Sequence, residues 1–194
     1  MKERGILMKT IAFFNVKGGC GKTTSCINIS YILATKYEKK VLLIDLDPQA
    51  NSSDFFIDQD YDTSIEDVFV GRKNIKECIQ HTKYDRLDII PSTITLSRTE
   101  KAMVANTTEP QQLKLAAYLG DIETDYDYCI LDCSPSAETI TNINGLAAAN
   151  AVFVPLKADK WTIKGLQYTL SIIQTVKKYN YKLLSLIHIS EPTR

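Results

Sequence analysis

The stretch "VKGGCGKTT" (16–24) continues an apolar run, "TIAFFNV" (10–16), into a segment with helical periodicity. Glycines let a backbone approach an anion and turn its N–H groups inward, and a following helix presents its N-terminal dipole to the same anion. The general phosphate-binding loop is G-x-x-x-x-G-K-[ST], and Gly21, Lys22 and Thr23 match its second half. The stretch therefore predicts a strand–loop–helix unit that holds phosphate. The alternative is a glycine-rich turn that binds nothing.

The loop departs from the general pattern at its first position. Val16 stands where the first glycine is expected, and an additional lysine, Lys17, follows it. In such a loop Lys22 bridges the β- and γ-phosphates, Thr23 ligates Mg²⁺, and Thr24 contacts the α-phosphate side. Lys17 has two interpretations, a second phosphate-binding lysine or a solvated loop lysine. The predicted nucleotide-binding residues are Lys17, Gly18, Gly19, Cys20, Gly21, Lys22, Thr23 and Thr24.

Further apolar runs predict a sheet around this unit. They are "VLLIDL" (41–46), "LDIIPS" (87–92), "YCILD" (128–132) and "AVFVP" (151–155). Runs with little alternation are typical of strands that are covered on both faces. Helical patterns separate them, so we expect an α/β fold with a mostly parallel sheet and helices on both faces. The predicted helical stripes are Cys26, Ile29 and Leu33 in a helix over about 22–37, and Ile163, Leu166, Leu170, Ile173 and Val176 in the last helix.

Composition limits the class of protein. The 194 residues suit one sizeable core, and 23 acidic residues balance 23 basic ones, so no global field favours nucleic acid or an anionic membrane. No apolar run reaches membrane-spanning length, and residues 1–15 lack the layout of a signal peptide. The five cysteines form no C-x-x-C pair, which indicates reduced thiols in a cytoplasmic protein.

Two acidic side chains follow each other closely in "LIDLDPQAN" (43–51). Asp45 and Asp47 alternate at the carboxyl end of a predicted buried strand, where α/β sheets place their ligands. Two carboxylates there repel each other unless a cation or a chain of waters offsets the repulsion. The alternative is a pair of capping aspartates in the turn before Pro48.

A third acid, Asp132, ends the apolar strand in "YCILDCSPS" (128–136). This is the Walker B pattern, in which the acid holds Mg²⁺ or its water shell. Many strands end in aspartate, so the pattern gains its weight from the other two motifs. The three together predict a magnesium–nucleotide site.

With "IIPSTITLS" (89–97) and "AAANAVFVPLKADKWTIKGL" (147–166), these motifs resemble the ParA/MinD family of deviant-Walker ATPases. ParA/Soj-type partition ATPases are the most similar branch, and the resemblance runs from about Met8 to Lys182. It implies a P-loop NTPase fold with ATP and Mg²⁺ as cofactors.

The resemblance also assigns roles to the charged residues. Lys17 corresponds to the family's signature lysine, which reaches the partner's nucleotide in an ATP-sandwich homodimer, whereas Lys22 contacts the nucleotide of its own subunit. Asp47 corresponds to the acid that orients the attacking water, and Asp45 supports the Mg²⁺ shell. Asp132 is the Walker B acid.

The segment after Asp132 departs from the family pattern. Ser134 and Pro135 stand where the family has two prolines, which leaves the path of this switch II loop open. Cys129 and Cys133 flank Asp132, and a cluster shared between subunits, as in the nitrogenase iron protein, is one interpretation. Buried apolar thiols explain them better, since both lie on one strand and its exit.

The resemblance implies a slow, Mg²⁺-dependent ATPase of partition or segregation that dimerises on ATP, binds non-specific DNA and is reset by a ParB-like activator. We expect a cytoplasmic, nucleoid-associated protein with no membrane partner. One alternative is a MinD-like membrane-cycling ATPase, which requires a C-terminal amphipathic helix. Another is a nucleotide-binding regulatory module. Amidoligases of cobyrinate type share the loop, but "DxDPQ" fits partition ATPases better.

Both ends of the chain call for separate predictions. Met8 opens the first strand-like stretch and is a candidate native start. "LSLIHISEPTR" (184–194) resembles a translated sequencing adapter, so we expect one ATPase domain over 1–183, truncated before its base pocket and DNA-binding surface, and a non-native tail. Within that tail "LSLIHI" alternates apolar and polar residues and can imitate a strand.

Overall fold

Strands and helices alternate in the computed structural model, which describes residues 7–58, 60–157 and 162–190. The strands are β1 (Lys9–Phe13), β2 (Val41–Leu46), β3 (Gln80–His81), β4 (Leu87–Ile90), β5 (Tyr128–Cys133), β6 (Ala151–Lys157) and β7 (Leu184–Ser190). The helices are α1 (Lys22–Thr35), α2 (Asn51–Phe56), α3 (Ile65–Phe69), α4 (Leu96–Ala105), α5 (Lys114–Gly120), α6 (Ile140–Ala148) and α7 (Thr162–Val176), with a 3₁₀ turn at Ile75–Cys78.

The strands form one sheet in the order β3-β4-β2-β5-β1-β6-β7. All neighbouring pairs are parallel except β3 and β4, which are antiparallel. The predicted mostly parallel α/β fold is therefore confirmed. The short antiparallel strand β3 was not predicted, and it places His81 opposite Asp88.

Both faces of the sheet are covered, and this explains the apolar composition of its strands. In β2 all six residues are buried. Leu42 and Ile44 pack on the side of α3 to α7, whereas Val41 and Leu43 pack on the side of α1 and α2. A strand that alternates its side chains between two apolar layers has no polar face to show in its sequence.

The inner face of α1 differs from the predicted stripe. Its buried residues recur every fourth position: Lys22, Cys26, Ser30 and Ala34. Ile29 and Leu33 are only partly buried. The small side chains of Cys26, Ser30 and Ala34 let α1 lie close to the sheet. The buried face of the helix is therefore rotated toward these residues and away from Ile29 and Leu33. In α7 the prediction is closer, since Ile173 and Val176 are buried.

Strand β7 forms one edge of the sheet and pairs with β6 along its whole length. Its residues Leu184, Leu186 and Ile187 are exposed. This agrees with the expectation that "LSLIHI" adopts a strand, while the division into a domain over 1–183 and a non-native tail stays a prediction. Residues 1–6 and 191–194 lie outside the described residues, as does the side chain of Ile163. Among the described ranges, no helix is long and apolar enough to span a membrane.

Candidate functional site

The predicted site residues meet at the carboxyl edge of three adjacent strands. β1 lies beside β5, which in turn lies beside β2. In the register of these parallel strands, Asp132 is opposite Phe13 on one side and opposite Asp45 on the other. The glycine-rich loop after β1 and the acids of β2 and β5 therefore leave the sheet at the same place. This is the position where α/β sheets bind ligands.

The loop has the backbone of a phosphate cradle. Gly19 and Gly21 have φ angles of 68° and 89°, a region that only glycine adopts without strain. Gly21 immediately precedes α1, so the first turn of this 14-residue helix faces the loop. A Cβ atom at Gly18, Gly19 or Gly21 would have no neighbour within 4 Å in the part of the chain that the structure describes. The space above the loop is open, and an anion there would meet backbone N–H groups and the positive end of α1.

The two loop lysines lie in different environments. Lys22 is 6% exposed, and its Nζ donates a hydrogen bond of 3.3 Å to the carbonyl oxygen of Lys17. The Cys20 thiol donates to the same oxygen at 3.2 Å. Lys17 is only partly buried. The buried ammonium therefore lies inside the loop, while the other lysine reaches the surface beside it.

An anchor that sequence reasoning missed holds the start of the loop. The buried Asn15 accepts a hydrogen bond of 2.9 Å from the backbone N–H of Lys17 and donates one of 2.8 Å to the carbonyl of Pro155. The hydroxyl oxygen of Thr169 lies 3.1 Å from Asn15 Oδ1. These partners are 140 and 154 residues away along the chain, so no local pattern could have identified them.

Asp45 is fully buried and held on both oxygens. Oδ1 accepts the backbone N–H of Asp47 at 3.0 Å, and Oδ2 accepts both the N–H and the hydroxyl of Ser53, at 3.0 Å and 2.8 Å. Burial and the negative charge of Asp132 raise the pKa of Asp45 from 3.8 to about 7, against the lowering effect of these hydrogen bonds. Asp47 itself accepts the N–H of Gln49 at 3.0 Å. The turn-capping interpretation is therefore part of what these aspartates do.

Asp132 retains an oxygen without a hydrogen bond. Its Oδ2 accepts the hydroxyl of Ser52 at 2.5 Å, whereas Oδ1 is buried and has no partner among the described residues. Burial raises the pKa of this carboxyl, and the hydroxyls of Ser52 and Thr23 and the charge of Lys22 lower it. A buried carboxylate oxygen without a partner is costly unless a cation or water occupies its lone pairs.

The same edge fits Mg²⁺ better than a metal held by protein alone. Among the described residues no three His, Cys, Asp or Glu side chains come together as a metal-binding group. Mg²⁺ takes one or two protein oxygens and completes its shell with phosphate and water. The unsatisfied Oδ1 of Asp132 and the nearby Thr23 hydroxyl offer that donor set.

The loop after β5 is held by an asparagine of α6. Asn142 accepts the backbone N–H of Ser134 at 3.1 Å and donates to the carbonyl of Ser136 at 2.7 Å. This gives a defined path to the loop in which the sequence departs from the family pattern. Cys129 and Cys133, on either side of Asp132, are fully buried free thiols whose pKa values are raised by burial.

A family model described as an AAA domain, AAA_31, matches residues 8–186. The chain belongs to this family. The similar curated proteins include the sporulation initiation inhibitor protein Soj of Bacillus subtilis, 36% identical over 173 residues, and the chromosome-partitioning ATPase Soj of Treponema pallidum, 39% identical over 170 residues. The matches cover 88% of this chain in both cases, and 67% and 64% of the two relatives. The chain thus spans about two thirds of their length, and the predicted resemblance to ParA/Soj proteins is confirmed.

Solved structures show the same fold, and two of the following three hold a nucleotide. The cobyrinic acid a,c-diamide synthase of Mycobacterium smegmatis, with bound ADP and magnesium, has a TM-score of 0.85 and 27% identity over 94% of this chain and 74% of its own. A plasmid partition protein of Borrelia burgdorferi has a TM-score of 0.81 and 30% identity over 96% of this chain and 81% of its own. A Cyanothece McdA–ATP complex has a TM-score of 0.85 and 25% identity, covering 95% and 70% of the two chains.

Proposed function

We propose that this protein is a Mg²⁺-dependent partition ATPase that hydrolyses ATP slowly and uses it to control dimerisation, DNA binding and release by a ParB-like activator. The observation that carries the proposal is the meeting of the buried Lys22 with the unsatisfied Oδ1 of Asp132 at one edge of the sheet. Relatives named for chromosome partitioning support the choice among ATPases. We place the activity in the cytoplasm, on the nucleoid and away from membranes.

Different residues of the chain bind the phosphates, the Mg²⁺ ion and the attacking water. The loop 17–24 surrounds the phosphates with N–H groups, and Lys22 exchanges its bond to the Lys17 carbonyl for phosphate oxygens. Thr23 and Asp132 hold Mg²⁺ or its waters, with Asp45 as support. An ion held there would supply positive charge beside the phosphoryl group that is transferred. Asp47, 8% exposed at the rim of the same edge, orients the attacking water.

Lys22 contacts the nucleotide of its own subunit, and Lys17 contacts the nucleotide of a second subunit. The backbone N–H of Lys17 is fixed by Asn15 at 2.9 Å, so the point at which its partly exposed side chain leaves the loop is set. A cation presented from the surface of one subunit can stabilise the phosphates of a second, as an arginine finger does. ATP then joins the two subunits, and hydrolysis separates them.

An amide ligase that activates its substrate with ATP is the second candidate, since the synthase from Mycobacterium smegmatis has the same fold at 27% identity. The Soj and ParA relatives match at 35–39% identity, which favours the partition ATPase. ATP turnover without a carboxylate substrate and an amide donor separates the two.

Paired lysine variants test the proposal. Lys22→Ala should abolish ATP binding or hydrolysis, because the γ-phosphate loses its partner within the subunit. Lys17→Ala should retain ATP binding but lose ATP-dependent dimerisation and stimulated hydrolysis. Lys39→Ala, an exposed lysine at the opposite end of β2, is the control.

The measurements are nucleotide binding, phosphate release and sedimentation with ATP. Turnover at the wild-type rate in Lys22→Ala would contradict the loop assignment. A Lys17→Ala variant that dimerises normally with ATP would contradict the role across the interface.

A further inference from the structure

Two consecutive serines in the first turn of α2 serve two different carboxylates. Ser52 and Ser53 are both fully buried. The Ser52 hydroxyl donates to Asp132, and the Ser53 hydroxyl donates to Asp45. Asp45 and Asp132 are opposite each other on adjacent strands. The first turn of α2 therefore covers both acids, and a different serine donates a hydrogen bond to each of them.

The hydroxyl of Ser53 is held in one orientation. A hydroxyl proton normally rotates to suit its surroundings. Here the backbone N–H of Ser92 donates to Ser53 Oγ at 3.0 Å, which takes one lone pair and leaves the proton to point at Asp45 Oδ2, 2.8 Å away. The hydroxyl of Tyr61 donates to the carbonyl of Ser92 at 2.5 Å. Tyr61 and Ser53 therefore both bond to Ser92, through its carbonyl and its N–H respectively, so Tyr61 helps to fix the position of the residue that holds Ser53.

Asp45 connects Ser53 to the backbone of Asp47. Its Oδ2 accepts both hydrogen bonds from Ser53, and its Oδ1 accepts the backbone N–H of Asp47. Because both ends of the carboxylate are fixed, the peptide of Asp47 is fixed with it. Hydrogen bonds to a buried ionised group are among the stronger ones in proteins. The oxygens of Asp45 are engaged in this way, unlike Oδ1 of Asp132.

We propose that Ser53 is a positioning residue for ATP hydrolysis, which acts through Asp45 to hold the backbone of Asp47 in place. The inference deepens the proposed function and rests on it, since Asp47 orients the attacking water there. Ser53 is fully buried, and it acts on Asp47 through Asp45. Its hydroxyl keeps the carboxylate of Asp45 oriented, and a carboxylate that rotates releases the N–H of Asp47.

Two other buried serines, Ser52 and Ser30, provide controls for which different results are expected. Ser53→Ala should lower kcat by about tenfold to a hundredfold, the factor expected for a lost hydrogen bond to a charged group, with KM for ATP and the Mg²⁺ requirement close to wild type. Ser52→Ala acts on Asp132 and should raise the Mg²⁺ concentration at half-maximal activity. Ser30→Ala removes a buried hydroxyl that has no hydrogen-bond partner among the described residues, and should leave both quantities unchanged.

Two further variants keep the test decisive if Ser53→Ala folds poorly. Ser53→Thr retains the hydroxyl and should restore kcat toward wild type. Tyr61→Phe removes the outer end of the chain of contacts and should lower kcat by about threefold, with no change in KM. Wild-type kcat in a folded Ser53→Ala, or in a folded Tyr61→Phe, overturns the inference.

Amide hydrogen exchange of the nucleotide-free protein separates this inference from the proposed function. The Asp47 N–H should exchange faster in Ser53→Ala than in wild type, and at the wild-type rate in Ser30→Ala. Unchanged exchange in Ser53→Ala overturns the inference even if ATP turnover is normal. If wild-type protein does not hydrolyse ATP, the proposed function fails and this role of Ser53 fails with it.

Discussion

Gly145 in α6 packs directly against the strands that carry the site. A Cβ atom there would lie 2.9 Å from Cδ1 of Leu46, 3.4 Å from Sγ of Cys133 and 3.7 Å from Cδ1 of Leu131. Replacing a helical glycine by alanine normally stabilises a helix by about 0.5–1 kcal/mol. Forcing a methyl group into a packed core costs about 1–3 kcal/mol. The two effects have opposite signs, and the short contact to Leu46 decides between them.

Gly165 in α7 provides the matched control, because a Cβ atom at that position meets no described residue within 4 Å. We expect Gly165→Ala to raise the free energy of unfolding by about 0.5–1 kcal/mol, and Gly145→Ala to be about 1–3 kcal/mol less stable than Gly165→Ala. Urea denaturation of both variants measures this difference. Equal stability of the two would mean that Leu46 moves aside at no cost, and would refute the argument from packing.

Three further predictions concern the acids. Asp132→Asn should raise the Mg²⁺ concentration needed for ATP binding by about tenfold or more; identical magnesium titrations would remove Asp132 from the metal site. Asp47→Ala should hold an ATP-bound dimer but hydrolyse about 10²–10⁴-fold more slowly, as measured by sedimentation and phosphate release, and unchanged turnover would exclude it. Burial and the charge of Asp132 raise the pKa of Asp45 from 3.8 to about 7. Between these pH values the folded state without Mg²⁺ and nucleotide therefore binds more protons than the unfolded state. The free energy of unfolding should then fall as the pH rises from 3.8 to about 7. Asp45→Asn should flatten this dependence in urea denaturation, and an equal slope in the variant would contradict it.

The bounds of a strand were predicted well where burial on both faces makes every residue of the strand apolar or buried. The strand over 41–46 has the predicted bounds, because its six residues are buried between two apolar layers. The first strand was predicted to extend to Val16 but ends at Phe13. Beyond it the backbone turns away so that Asn15 can bond to Pro155 and Lys17. An apolar run does not show where such long-range polar contacts begin.

The site was predicted in its charged residues but not in the residues that hold them. Lys22, Asp45 and Asp132 belong to local motifs and meet at one edge of the sheet. Ser53 and Asn15 form no motif, and their function depends on partners brought together by the fold. A buried serine in a helix has no distinguishing pattern in the sequence until the carboxylate beside it is known.

The position of β1 in the sheet has a consequence for synthesis of the protein. β1 leaves the ribosome before β2, yet it pairs with β5 and β6 rather than with β2. Its first partner, Tyr128–Cys133, follows β2, β3 and β4 along the chain. Strand pairs that are distant in sequence form slowly. The glycine-rich loop therefore has no neighbouring strand until β5 has been made, and the phosphate-binding edge of the sheet is complete only once the later strands have paired with β1.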